Sequence, residues 1–143
     1  MNGCILGLAV SEDQRGWTPL GSASAVGQTE LVHFLLSAKA DIEMSQDEKN
    51  STALHLAVES GQVENMQILL ASNACVDHAD TNGMAPLHIA ASMGHMDVAV
   101  CLVEFSASLD VVNSEFKTPL DGAHDADMQE MVEYLEARLK FAF

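Results

Sequence analysis

Residues 83–94 read GMAPLHIAASMG, and three other stretches of the chain follow the same pattern. The stretch NSTALHLAVESG lies 33 positions earlier, at 50–61, and GWTPLGSASAVG lies a further 34 positions back, at 16–27. The stretch FKTPLDGAH begins 33 positions after the first, at 116–124. Because several residue types recur together at one spacing, the chain is interpreted as successive copies of one structural unit.

Each copy carries the signals of a short helix followed by a second, more apolar helix. In the copy at 16–27, Thr18 can cap a helix start, Pro19 suits a first turn because its missing N–H has no partner there, and Gly27 can end the helix. The segment 31–36 that follows has apolar residues at helical spacing. We therefore predict an all-α chain of helix pairs joined by loops.

A period near 33 residues carrying Thr-Pro-Leu-His-x-Ala is typical of ankyrin repeats, and the chain resembles an ankyrin-repeat domain over about 12–140. The resemblance implies an all-α ankyrin-repeat solenoid of stacked helix-turn-helix units with protruding hairpin loops. It also implies a single domain over 1–143. Its parts would be an N-terminal cover at 1–15, repeats at 16–49, 50–82 and 83–115, and a fourth repeat with the C-terminal cap at 116–143.

Some residues depart from the repeat pattern. Ala85 stands where the resemblance implies threonine, so the helix that it precedes is expected to lack a side-chain cap. Asn73 and Asp127 stand where glycine would end a helix. Asparagine tolerates a positive φ, so we expect the helix before Asn73 to end there all the same.

Both ends of a repeat stack need protection from water. At the N-terminal end, the apolar residues within 5–10 are expected to form a short cover, unless a partner covers that end. At the C-terminal end, a helix over about 128–140 is expected to act as the cap, with one apolar and one charged face. Phe141 and Phe143 follow it and are expected to fold back onto the core.

The charge of the chain excludes two classes of partner. It has 21 acidic and 6 basic residues, a formal net charge of −15, with no Lys or Arg between Lys49 and Lys117. Such a surface repels nucleic-acid phosphates and anionic membranes, so we expect neither as a partner. Its field would favour a protein partner with a basic surface, although acidity also serves solubility alone.

The cysteines and the hydropathy indicate an intracellular protein. Cys4, Cys75 and Cys101 are odd in number and form no Cys-x-x-Cys pair, which argues against disulfides and zinc. Reduced thiols fit the cytoplasm, with the nucleus left open. No apolar run approaches the roughly 20 residues of a membrane span, and no basic segment precedes the apolar residues 4–10 as in a signal peptide.

The sequence has no recognisable catalytic or phosphate-binding motif. His55 and His88 occupy the Thr-Pro-Leu-His position, where the resemblance implies that the imidazole binds neighbouring backbone. The acidic residues near His124 are interpreted as a solvated face rather than as metal ligands. We therefore expect no catalytic residue, no metal and no cofactor, and we expect that the chain is not an enzyme.

The resemblance implies partner binding through the loop tips and the exposed side of the first helices, which together line a concave surface. Among these positions, Trp17 is either a binding anchor or a packing residue at the end of the stack, and both readings stay open. Met84 and Met93 are adaptable apolar groups at exposed sites. The residues expected to bind a partner are Arg15, Trp17, Val26, Lys49, Ser51, Glu59, Asn82, Met84, Ser92, Met93, Glu115 and Lys117.

These observations favour a non-enzymatic protein-interaction module that works as an adaptor, a scaffold or a stoichiometric inhibitor. A first alternative is a structural subunit or spacer of a larger assembly. A second is an interaction fragment of a longer multidomain protein or enzyme.

Overall fold

The computed structural model describes residues 17–45 and 47–142. Within these residues all regular structure is helical, which confirms the all-α prediction. The expectations for 1–15, including Arg15, and for Phe143 lie outside the described residues. The helices form four pairs: α1 (Pro19–Val26) with α2 (Thr29–Ser37), α3 (Ala53–Glu59) with α4 (Val63–Ala71), α5 (Pro86–Met93) with α6 (Met96–Glu104), and α7 (Pro119–Asp125) with α8 (Gln129–Ala142).

The first helix of each pair begins at the Thr-Pro-Leu position or its equivalent. In three of the four, a threonine hydroxyl accepts the backbone N–H of the residue three positions later, at 3.1 to 3.4 Å. These threonines are Thr18, Thr52 and Thr118. Ala85 offers no such acceptor, so α5 lacks a side-chain cap, as predicted. A cap of this kind contributes typically about 1 kcal/mol to helix stability.

The helix end predicted at Asn73 is present, and α7 ends before Asp127. Asn73 follows α4 with φ 73°, and Asp127 follows α7 with φ 58°. Glycine takes the position of Asp127 after α1, α3 and α5, where φ lies between 71° and 89°. Asn and Asp adopt this left-handed conformation more readily than other side chains, so the turns keep their geometry without glycine.

The chain divides into two compact units, one ending at Cys75 and the other beginning at Val76. In the first unit, α1 packs on α2 and on α3, and α4 packs on α3 and on α2. The two helix pairs are also linked by Asn65, which is buried and donates its side-chain N–H to the carbonyl of Ser24 at 3.2 Å. The apolar core of this unit includes Leu20, Val32, Leu35, Leu54, Met66 and Leu69.

In the second unit, α5 packs on α6 and on α7, and α8 packs on α7. Its core includes Leu87, Ala90, Val98, Leu102, Met131 and Leu135. Cys101 is buried, as expected for a small apolar side chain, whereas Cys75 is exposed. None of the helices in 17–45 and 47–142 has the length and apolar character that crossing a membrane requires.

The expectation that Phe141 folds back onto the core is wrong, because 84% of its surface is exposed. Helix α8 continues to Ala142, so Phe141 keeps the direction that the helix gives it. The buried face of α8 contains Met131 and Leu135. Phe141 lies six residues after Leu135, a rotation of about 600° at 100° per residue, so it points well away from that face.

Candidate partner-binding surface

Loops between the helix pairs form tight projections that we call fingers. Each finger begins with Asp47, Asp80 or Asn113, whose side-chain oxygen accepts the backbone N–H of the residue four positions later. The donor–acceptor distances are 2.7, 2.9 and 3.1 Å. These bonds help to hold each finger closed. The first, second and third fingers are residues 47–51, 80–84 and 113–117.

In the first unit, a cleft of about 280 Å³ opens between Trp17, the first finger and α3. The structure brings four of the predicted binding residues together here. Trp17 is half-buried, Lys49 and Glu59 are exposed, and Ser51 is 8% exposed. Val26, at the end of α1, is 60% exposed and does not line the cleft. The full lining is Trp17, Asp47, Glu48, Lys49, Ser51, Leu56 and Glu59.

In the second unit, the second and third fingers are hydrogen-bonded to each other. The backbone N–H of Ser114 donates to the carbonyl of Asn82 at 3.0 Å. The side-chain amide of Asn113 donates to the sulfur of Met84 at 3.3 Å. Met84 is half-buried and contributes to this contact, whereas Asn82 is exposed. The methionine that we expected to be an exposed contact is thus also part of the finger structure.

The other predicted residues of the second unit lie on α5 and on the third finger. Met93 is 44% exposed at the end of α5. Ser92 beside it is half-buried, and its hydroxyl donates to the carbonyl of Ile89 at 3.1 Å. Glu115 is exposed, and Lys117 is half-buried. Both methionines therefore remain partly accessible, and Met84 is in addition held by its hydrogen bond from Asn113.

His88 connects the start of α5 to the third finger. Its Nδ1 accepts the backbone N–H of Ala85 at 3.0 Å, and its Nε2 lies 2.9 Å from the carbonyl oxygen of Lys117. Because Nδ1 accepts, the ring proton belongs on Nε2, which donates to that carbonyl. The ring is 2% exposed. His88 therefore has the backbone-binding role that the resemblance implied.

The cation of the third finger is neutralised by its neighbours. The ammonium of Lys117 donates to the Asp125 carboxylate and lies 3.7 Å from Glu115. The hydrogen bond to Asp125 raises the pKa of Lys117 above its usual value. At the start of α7, the backbone N–H of Thr118 lowers the pKa of Asp121 by donating to its carboxylate. The surface around this finger is therefore acidic, with little free positive charge.

Phe116 was not among the predicted binding residues, although it is the most exposed large apolar side chain described, at 85%. It lies at the tip of the third finger, where φ is 62°. The first and second fingers have Asn50 and Gly83 at this position. The sequence did offer one signal for Phe116: an aromatic residue stands where the two preceding repeats have Asn and Gly.

No group of three or more His, Cys, Asp or Glu side chains within 17–45 and 47–142 is arranged to hold a metal ion.

The helical repeats have matches among known proteins. The family model described as ankyrin repeats (3 copies) matches the chain twice, over residues 4–80 and 71–139. The serine/threonine-protein kinase VIK of Arabidopsis thaliana is 38% identical over 58 residues, which are 41% of this chain and 13% of the kinase. The chain thus spans only a small part of that relative.

Proposed function

The chain belongs to the ankyrin-repeat family, whose repeats are protein-interaction modules, and on this premise we propose that it binds another protein without catalysing a reaction. The observation that carries the proposal is the apolar surface left at finger and first-helix positions. Val26, Met93 and Phe116 are 60%, 44% and 85% exposed there. Because the fingers are held closed by their own hydrogen bonds, little order has to be gained on association.

The absence of catalysis is part of the proposal. Ankyrin repeats are generally non-catalytic, and a match covering 13% of a kinase does not make the chain an enzyme. The buried imidazole of His88 binds two backbone groups, so it has no nitrogen free for proton transfer. In the first unit, His55 accepts from the backbone N–H of Thr52 at 3.3 Å in the same way.

We expect the partner to carry a basic surface. The formal net charge of −15 and the absence of Lys and Arg over residues 50–116 support this. On the third finger, Lys117 is paired with carboxylates and adds little positive potential. Complementary charge would mainly accelerate association, and binding should weaken as the salt concentration rises.

A second candidate is an interaction segment within a longer protein. The match to the kinase supports it, because the matched region is 13% of that protein. In this case the chain would bring a partner to whatever activity the longer protein has. The binding surface and its tests are the same for both candidates.

The experiment that tests the proposal uses the whole chain as bait. The immobilised chain is incubated with extract of its source cells, and the captured proteins are identified by mass spectrometry. Each is then purified and titrated with the chain by calorimetry. The proposal predicts a direct complex whose affinity falls with salt, and it fails if no purified protein binds the wild-type chain.

Trp17→Ala should weaken this complex by about 30-fold, because truncating an aromatic anchor often costs about 2 kcal/mol of binding free energy. The melting temperature should fall by only a few degrees, since Trp17 is half-buried. Phe34→Ala is the matched control, because Phe34 is an aromatic residue, 47% exposed, on the second helix of its pair. An unchanged affinity combined with a large loss of stability would identify Trp17 as a packing residue.

A further inference from the structure

Phe116 combines two features that are unfavourable for a folded chain. Its φ of 62° lies in the left-handed region, which a bulky aromatic residue rarely adopts. The equivalent residues of the other two fingers are Asn50, with φ 57°, and Gly83, with φ 74°. Both are residue types that tolerate this conformation. The third finger alone among the three therefore carries backbone strain from a large side chain.

The fold does not use the Phe116 ring. With 85% of the residue exposed, the side chain has little contact with the rest of the chain. The finger is closed by Asn113, whose side-chain oxygen accepts the N–H groups of Glu115 and Lys117 at 2.9 and 3.1 Å. Phe116 contributes its backbone N–H, which donates to the Asn113 carbonyl at 2.9 Å. Asn or Gly at this position could make the same backbone bond.

The strained backbone and the exposed ring of Phe116 do not stabilise the fold, so we expect them to serve a function other than folding. An exposed aromatic residue on a rigid loop is well suited to binding, because it buries a large area and has few rotatable bonds to immobilise. The backbone beside Phe116 is held in place, because His88 Nε2 lies 2.9 Å from the carbonyl oxygen of Lys117, the next residue.

The charges around the ring indicate which surface it fits. Glu115, the preceding residue, has a side chain that is 73% exposed. Lys117, the following residue, is paired with Asp125. An apolar pocket bordered by acidic residues would meet like charges here, whereas one bordered by Lys or Arg would meet opposite charges.

We propose that Phe116 is the anchor with which the second unit binds its partner, inserting its ring into an apolar pocket bordered by basic side chains. The inference rests on the proposed function, because it requires a protein partner. It assigns the site to a residue that the repeat pattern would fill with Asn or Gly. It also explains why strain is retained at this one finger.

The test uses two properties that should change in opposite directions. Phe116→Gly should raise the melting temperature by about 3 °C, because it relieves the strain at the finger tip. The same variant should weaken calorimetric binding of the purified captured protein by about 30-fold or more, because it removes the anchor. Raising the ionic strength should weaken wild-type binding as well, because the pocket is bordered by basic groups.

Two further variants make the result specific. Phe141→Ala removes an aromatic ring with the same exposure, 84%, from α8 and should leave binding within about twofold of wild type. Phe116→Asn introduces the residue type of the first finger and should weaken binding as much as Phe116→Gly. If Phe116→Asn binds like wild type, finger flexibility rather than the ring explains the glycine result, and the inference is overturned.

The remaining outcomes separate the inference from the proposed function. If the purified protein binds the wild-type chain and Phe116→Gly equally well, the anchor is wrong although the binding function stands. If it binds with no dependence on salt, the basic border of the pocket is wrong. If no purified protein binds the wild-type chain, the proposed function fails and the inference fails with it.

Discussion

His88→Ala should lower the free energy of unfolding by about 3 kcal/mol or more, as measured by urea denaturation. The substitution leaves the N–H of Ala85 without its partner, and it removes one of the two hydrogen bonds to the carbonyl of Lys117, which keeps the N–H of Asn113 at 3.0 Å. The unsatisfied buried N–H costs about 1–3 kcal/mol, and loss of the ring adds a cavity at a site that is 2% exposed. The third finger should also lose protection of its amides against hydrogen exchange, since its anchor is removed.

The matched control is His124→Ala. His124 is exposed, and its Nε2 lies 3.8 Å from Glu136, a surface contact worth little. Its removal should change the free energy of unfolding by at most about 0.5 kcal/mol. If the two alanine variants were equally stable, the imidazole of His88 would have no structural role.

Leu87→Ala should lower the free energy of unfolding by a similar amount, about 3 kcal/mol within the usual range of about 2–5 kcal/mol. Leu87 is fully buried and occupies the leucine of the repeat pattern, as do Leu20 and Leu54, each 1% exposed. Its truncation leaves a cavity in the second unit, where α5 packs on α6 and on α7. The measurement is again the free energy of unfolding in urea.

Val112→Ala provides the comparison for that variant. Val112 is in the same unit but 49% exposed, so it has little burial to lose. The change should stay below about 1 kcal/mol. Equal losses at the two sites would contradict the assignment of Leu87 to the core.

The sequence predicted the helices well where a local signal decides them. Thr18 indicates a helix start because its hydroxyl can cap it, and Pro19 does so because its missing N–H has no partner in a first turn. Asn73 marks a helix end because it tolerates a positive φ. The loss of a cap at Ala85 was predictable for the same reason. These properties belong to single residues, so a repeat pattern that aligns them is sufficient.

The sequence was less informative about exposure, which depends on the directions of side chains. Phe141 was expected to be covered, but the continuing helix directs it away from the core. Met84 was expected to be an exposed contact, but it also accepts a hydrogen bond from Asn113, 29 residues later in the chain. Neither arrangement can be inferred from residue types at one period.

Four of the residues predicted to bind a partner lie together in the structure. Trp17, Lys49, Ser51 and Glu59 do line one cleft. Their role in binding stays a prediction, because nearness to a cleft does not identify a contact. Phe116 was not predicted, because its exposure and its positive φ follow from the fold of the finger and not from its residue type.

On the proposed function, a partner protein contacts the fingers and the first helices of the pairs. Hydrogen–deuterium exchange of the chain, alone and with the purified captured protein, tests this directly. We predict slower exchange at the third finger and at the start of α7, with little change in the second helices α2, α4, α6 and α8. Protection confined to those second helices, with the fingers exchanging as in the free chain, would show that the partner does not bind the fingers.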